Sequence, residues 1–130
     1  MVKIVFCLRR KAGLSSAEFQ AYWRKQHAPL VRERVKLLGI RRYVQCHTLF
    51  DERLRGLANQ RGFAGEEFDG VAELWFDQAS VLYPNDNAPA ASIEAARELL
   101  RDEGNFIDLE NSPIFVTEEL EVFPGPDAAN

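Results

Sequence analysis

Between Ser15 and Leu30 the chain reads S-S-A-E-F-Q-A-Y-W-R-K-Q-H-A-P-L. Ser15 followed three residues later by Glu18 makes a capping box, so a helix should begin at Ser16. Phe19, Tyr22, Trp23, Gln26 and Leu30 then recur at helical spacing on one face, while Ala21, Lys25 and Arg32 look the other way. Pro29 interrupts this pattern: it has no N–H to bond the Lys25 carbonyl, and its ring crowds that group. A proline also disfavours the helical conformation at the residue before it, yet it can open a new turn. The expectation is a helical segment Ser16–Ala28, a kink, and a second segment to Leu38 capped by Gly39. His27 falls at the break, on the shoulder of the apolar face, where a half-buried imidazole is expected.

Working outward, Val2–Arg9 is rich in Val, Ile and Phe at both parities and reads as a central strand. Ile40–Phe50 reads as a second strand, with Tyr43, Gln45 and His47 on one face and Arg42, Val44, Cys46 and Thr48 on the other. In the third, Asp69–Asp77, residues Val71, Glu73 and Trp75 share a face. Pro89–Asp102 follows as a second amphipathic helix built on Ile93, Ala96, Leu99 and Leu100, and Pro113–Phe123 is a last strand. The order β-α-β-β-α-β specifies an α+β, ferredoxin-like antiparallel sheet with both helices on one face. Its other face needs a cover, which a second copy supplies most economically, so a homodimer enclosing a barrel-like interior is expected. Glu118, Glu119 and Glu121 are available to set the register of that pairing. Asp51–Phe68, charged and rich in glycine, has no period and reads as a loop insertion, either a lid or a passive excursion. The whole forms one domain over 1–123, followed by a flexible tail at 124–130.

Composition narrows the function. With 130 residues and a net charge of −4 the chain suits one acidic domain, and a nucleic-acid partner is not expected. Cys7 and Cys46 lack a C-x-x-C spacing and read as reduced thiols, which points to the cytoplasm. The apolar start ends too early, at Arg9, Arg10 and Lys11, for a secretory leader. No uncharged stretch approaches the roughly 20 residues of a membrane span, so no membrane partner is expected. The scattered His and Cys residues lack zinc-site spacings, and no glycine-rich phosphate loop follows the first strand, so neither metal nor cofactor is expected.

His27 can cap a backbone carbonyl freed by Pro29, or serve as a general acid or base. Glu73, a carboxylate inside an apolar run, can be the ion-pair partner of an arginine such as Arg9 or Arg42, or it can orient His27 or take a proton itself. Phe6, Tyr43 and Trp75 can be ordinary packing or the walls of a pocket for flat apolar ligands. His47 is a secondary candidate for the pocket lining, and Tyr22 and Trp23 precede His27 in its motif.

Three blocks resemble the EthD family of the dimeric α/β-barrel superfamily: Gly13–Leu30 with its Y-W-x-x-x-H-A-P-L, Phe68–Asp77 as F-D-G-V-A-E-L-W-F-D, and Asp102–Asp108 as D-E-x-x-F-I-D. The resemblance implies the ferredoxin-like fold and a motif histidine, here His27, bordering a cleft. The family's prototype is associated with degradation of ethyl tert-butyl ether beside a cytochrome P450 system, and fungal members with decarboxylation or dehydration of polyketide-derived aromatics. The function expected is thus cofactor-independent acid/base chemistry on a small aromatic or polyketide-like molecule. His27 and Glu73 would be catalytic, and Phe6, Tyr22, Trp23, Tyr43, His47 and Trp75 would bind substrate. The alternatives are a cofactor-free monooxygenase or accessory protein of an oxygenase system, and a non-catalytic protein that binds hydrophobic metabolites.

Overall fold

The capping box forms as expected in the computed structural model, which describes residues 1–128. Ser15 Oγ accepts from the Glu18 N–H at 3.1 Å, and the Ser15 N–H donates to Glu18 Oε1 at 3.0 Å. Helix α1 then runs Ser16–Tyr22. Instead of kinking at Pro29, the chain widens into a π-helical turn over Trp23–His27, in which the Ala28 N–H reaches back five residues to the Trp23 carbonyl. Helix α2, Ala28–Leu38, restarts with the proline in its first turn and ends on left-handed Gly39 (φ 72°). A wide turn carries the Lys25 carbonyl away from a ring that an ordinary turn would bring against it.

That turn also changes the phase of the helix. Gln26, expected on the buried stripe, is exposed, whereas His27 retains only 5 % of its surface and Val31 only 2 %. The half-buried shoulder position expected for His27 is therefore corrected to a core position, because the extra residue in the turn shifts the buried stripe onto His27 and Val31.

Strands β1 (Val2–Leu8), β2 (Arg42–His47), β3 (Gly70–Phe76) and β4 (Ile114–Glu118) form one antiparallel sheet in the order β2-β3-β1-β4. This is the ferredoxin-like topology expected from the element order. The α1–α2 arm and helix α4 (Ala90–Glu103) pack on one face, against Phe6, Leu8, Ala72 and Phe76. Phe19, Trp23, Phe106 and Leu8 are the fully buried centre of this layer. Trp23 lies directly on Gly70, where an added Cβ would stand 2.5 Å from Trp23 Cζ3 and 2.7 Å from the Cys46 carbonyl oxygen. Glycine is what lets the helix approach the sheet there.

The buried stripe of α4 is Ala95 and Leu99 rather than the expected Ile93–Ala96–Leu99–Leu100, of which Ile93 is 37 % and Leu100 58 % exposed. Arg34 of α2 pairs with Glu98 of the helix, whose inward face continues at helical spacing to Asp102. Between β2 and β3, the 51–68 insertion holds a short 3-10 turn, Glu52–Leu54, and the one-turn helix α3, Gly56–Asn59. Arg55 Nη1 closes it on Glu67 Oε1 at 2.7 Å. The last strand stops at Glu118, short of the expected Phe123. Of the tail expected at 124–130, residues 129 and 130 lie outside the described residues. No helix among the described residues is long and apolar enough to cross a membrane.

Candidate functional site

The π turn delivers the His27 ring between helix and sheet, and α4 brings a carboxylate to meet it. His27 Nδ1 lies 2.7 Å from Asp102 Oδ2. The Tyr22 hydroxyl donates to Asp102 Oδ1 at 2.6 Å, and Asn105 Nδ2 lies 3.2 Å from the Tyr22 oxygen and 3.3 Å from Asp102 Oδ1. Beneath them Phe106, fully buried, packs its ring 5.1 Å from the His27 ring and 5.0 Å from that of Tyr22. One carboxylate thus accepts from three side chains, which fixes its position and that of the imidazole.

Electrostatics set the protonation. Burial lowers the His27 pKa below its ordinary value of 6.5, outweighing the hydrogen bond and negative charge of Asp102. At Asp102 burial pushes upward, but the hydrogen bonds from Tyr22 and His27 prevail and hold it below the usual carboxylate value. At neutral pH the pair is therefore a neutral imidazole donating through Nδ1–H to a carboxylate. Its Nε2, which has no hydrogen-bond partner among the described residues, is left as a base.

His27 lines a cavity of about 50 Å³ with Phe6, Trp23, Val31, Tyr43, Leu99 and Glu103, and Leu8, Ala72, Leu74 and Ile107 complete its wall. Glu103 follows Asp102 on α4, and burial, then the Asp102 charge, pushes its carboxyl up to about 7. The Tyr43 phenol is raised as well, first by burial. Its oxygen accepts from Gln45 Nε2 at 2.8 Å, and the same nitrogen donates to the Trp23 carbonyl of the π turn at 2.9 Å.

Of the residues expected to form the site, Phe6, Trp23, Tyr43 and His27 line this cavity. Tyr22 stands behind it, holding Asp102. His47 is stacked on the far side of Trp23, ring centroids 4.4 Å apart, with Nε2 bonded to Gln45 Oε1. Two expectations are corrected. Glu73 and Trp75 lie on the opposite face of the sheet from His27, because residues one apart in β3 alternate sides and Ala72, Leu74 and Phe76 take the helix side. The partner of Glu73 is Lys3, at 2.7 Å, rather than an arginine or His27. Trp75 is sandwiched there between the Lys3 ammonium and the Arg42 guanidinium, 4.9 and 4.5 Å from its ring. Glu119, considered for register, reaches Lys3 of its own chain at 3.1 Å. Nor does His27 cap a freed carbonyl, since its Nδ1 is engaged by Asp102.

Asp102 and Glu103 were missed as site residues. Their signal was a stripe Ala95–Leu99–Asp102–Phe106, at i, i+4, i+7 and i+11, with a carboxylate in an otherwise apolar row. None of the cavity-lining residues comes from the 51–68 insertion.

The EthD domain profile matches residues 11–110, a span that includes the π turn, β3 and the Asp102–Asp108 segment. The chain belongs to the EthD family. Solved structures of similar fold include an ethyl tert-butyl ether d (EthD) family protein from Bacillus halodurans C-125, 18 % identical with a TM-score of 0.60 over 92 % of this chain and 99 % of that one. An EthD-like protein from Ralstonia eutropha JMP134 is 19 % identical with a TM-score of 0.57, over 97 % of this chain and 96 % of that one. HapK from Hahella chejuensis is 10 % identical with a TM-score of 0.56, over 96 % and 98 %. At these identities the likeness is one of fold. No curated protein matches the chain in sequence.

Proposed function

We propose that this EthD-family chain is a small, cofactor-independent enzyme that moves a proton on a hydrophobic, aromatic or polyketide-like molecule, with His27 Nε2 as the base. The observation that carries this reading is the Asp102–His27 pair, which engages Nδ1 and leaves Nε2 without a hydrogen-bond partner among the described residues, in a ring that lines a mostly apolar cavity. Asp102 fixes the tautomer and supports the imidazolium as it forms, as carboxylates do for catalytic histidines generally. Phe6, Trp23 and Tyr43 would hold the flat part of the ligand. A cavity of about 50 Å³ takes a few waters, whereas a cavity that accepts benzene measures about 150 Å³. Substrate binding thus widens the cleft, by rotation of side chains in its wall.

The test is carbon-bound proton exchange. In D2O the wild-type protein should accelerate deuterium uptake beside the carbonyl of 2-indanone, and His27→Gln should return the rate to that of buffer. Equal rates for the two proteins would contradict the proposal.

We further infer that two copies pair through the sheet face away from the helices, where Val5, Val44, Val71 and Phe115 surround the Lys3–Glu73 pair. A second identical face is the economical cover for this surface. Sedimentation should give a dimer for the wild type and a monomer for Val71→Lys; a wild-type monomer would overturn this part.

A further inference from the structure

The Glu103 carboxyl is a partly buried titratable group that proton transfer at His27 leaves unused. It lines the same cavity, and its surroundings determine its state. Asp102 faces it from α4, the His27 ring from the π turn and the Tyr43 hydroxyl from β2, while β1 and β3 present only Phe6, Leu8, Ala72 and Leu74. No lysine or arginine lines the cavity, and the Glu103 carboxyl, which is not fully buried, has no side-chain hydrogen bond among the described residues. With its value pushed up to about 7, first by burial, much of the protein at neutral pH holds a carboxylic acid here, able to donate a hydrogen bond.

We propose that Glu103 is a second group in direct touch with the substrate, donating a hydrogen bond to an oxygen of an uncharged aromatic ligand and so selecting phenols and aromatic ketones against aromatic carboxylates. The inference rests on the cavity being the substrate site. A phenol can give its hydrogen to His27 Nε2 and accept that of Glu103. An aromatic carboxylate would bring a negative charge beside two acidic side chains with no cation to meet it. In ketone exchange His27 Nε2 takes the proton as the C–H bond breaks, the electron pair moves toward the carbonyl oxygen, and the Glu103 proton follows to form the O–H bond of the enol. The imidazolium and the Glu103 carboxylate are reset as the enol reverts.

The experiment titrates wild type and Glu103→Gln with phenol and with benzoate at pH 6 and pH 8, following the His27 imidazole resonances. Phenol should bind the wild type at pH 6 at least tenfold more tightly than benzoate. A group titrating at about 7 makes phenol affinity fall about tenfold between the two pH values, since apparent affinity follows the competent fraction. In Glu103→Gln, whose amide donates at both pH values, it should stay flat. Benzoate binding as well as phenol, a flat wild-type response, or a fall that persists in the variant would each overturn the role of Glu103. If neither ligand moves the His27 signals, the cavity is not the substrate site and both readings fall. Should Glu103→Gln not fold, the wild-type comparisons of ligand and pH still decide.

Discussion

Glu103→Gln should stabilise the protein at alkaline pH and not at acid pH. In the folded chain the carboxyl titrates at about 7 against an ordinary value of 4.5. At about 1.4 kcal/mol per pKa unit, the gap is worth about 3 kcal/mol. A raised carboxyl favours the protonated folded state, so its contribution is complete below the unfolded value and is lost as pH rises through the folded one. At pH 8 the wild type must keep an ion beside Asp102 in a partly buried, mostly apolar wall, where solvent screens part of the cost, while glutamine of the same shape carries no charge. Urea unfolding of both proteins at pH 4.5 and pH 8 tests this. The two should differ by little at pH 4.5, and the variant should be more stable at pH 8 by about 1–3 kcal/mol, with unchanged denaturant slope. Changes at His27 and Asp102 cancel in the difference. A difference that is the same at both pH values, or a variant less stable at pH 8, would refute the account of Glu103 as an acid held neutral by its surroundings.

Other substitutions probe the frame around it. Asp102→Asn should lower the His27 value further, because the Asp102 charge is what opposes burial there, and should slow 2-indanone exchange by on the order of 10²–10⁴, the usual worth of acid/base assistance. Tyr22→Phe removes a 2.6 Å hydrogen bond to the same carboxylate and should cost about 1.5–3 kcal/mol at pH 7, measured by denaturant unfolding. Gly70→Ala would drive a methyl into Trp23 and the Cys46 carbonyl, and should cost about 1–3 kcal/mol with a shifted Trp23 indole resonance.

The fold was legible because its signals are local. The Ser15–Glu18 box, the glycine after Leu38 and the short apolar runs of β1 and β3 each follow from neighbours a few residues apart. Pro29 marked the irregularity correctly, but periodicity could not foresee its form, since a π turn and a kink answer the same missing N–H while placing His27 differently. The site was less legible because its second half comes from the far end of the chain. Glu73 stood out as a charge in an apolar strand, yet that strand has two faces, and the pattern of β3 alone does not say which one meets the helix. Asp102 and Glu103 lie in a helix end rich in charge, where immediate neighbours do not separate a solvated acid from one turned inward. What separates them is the phase set by Ala95, Leu99 and Phe106.

The central claim is that His27 is a neutral base whose Nδ1 hydrogen is held by Asp102 and whose Nε2 opens on the cavity. Nitrogen-15 NMR of labelled histidine across pH 4 to 8 tests it directly. The account predicts, at pH 7, a His27 ring protonated at Nδ1 alone, a midpoint below 6.5, and an Nε2 signal that moves when phenol binds. A ring protonated at Nε2, or a midpoint at or above 6.5 with no response to ligand, would contradict it.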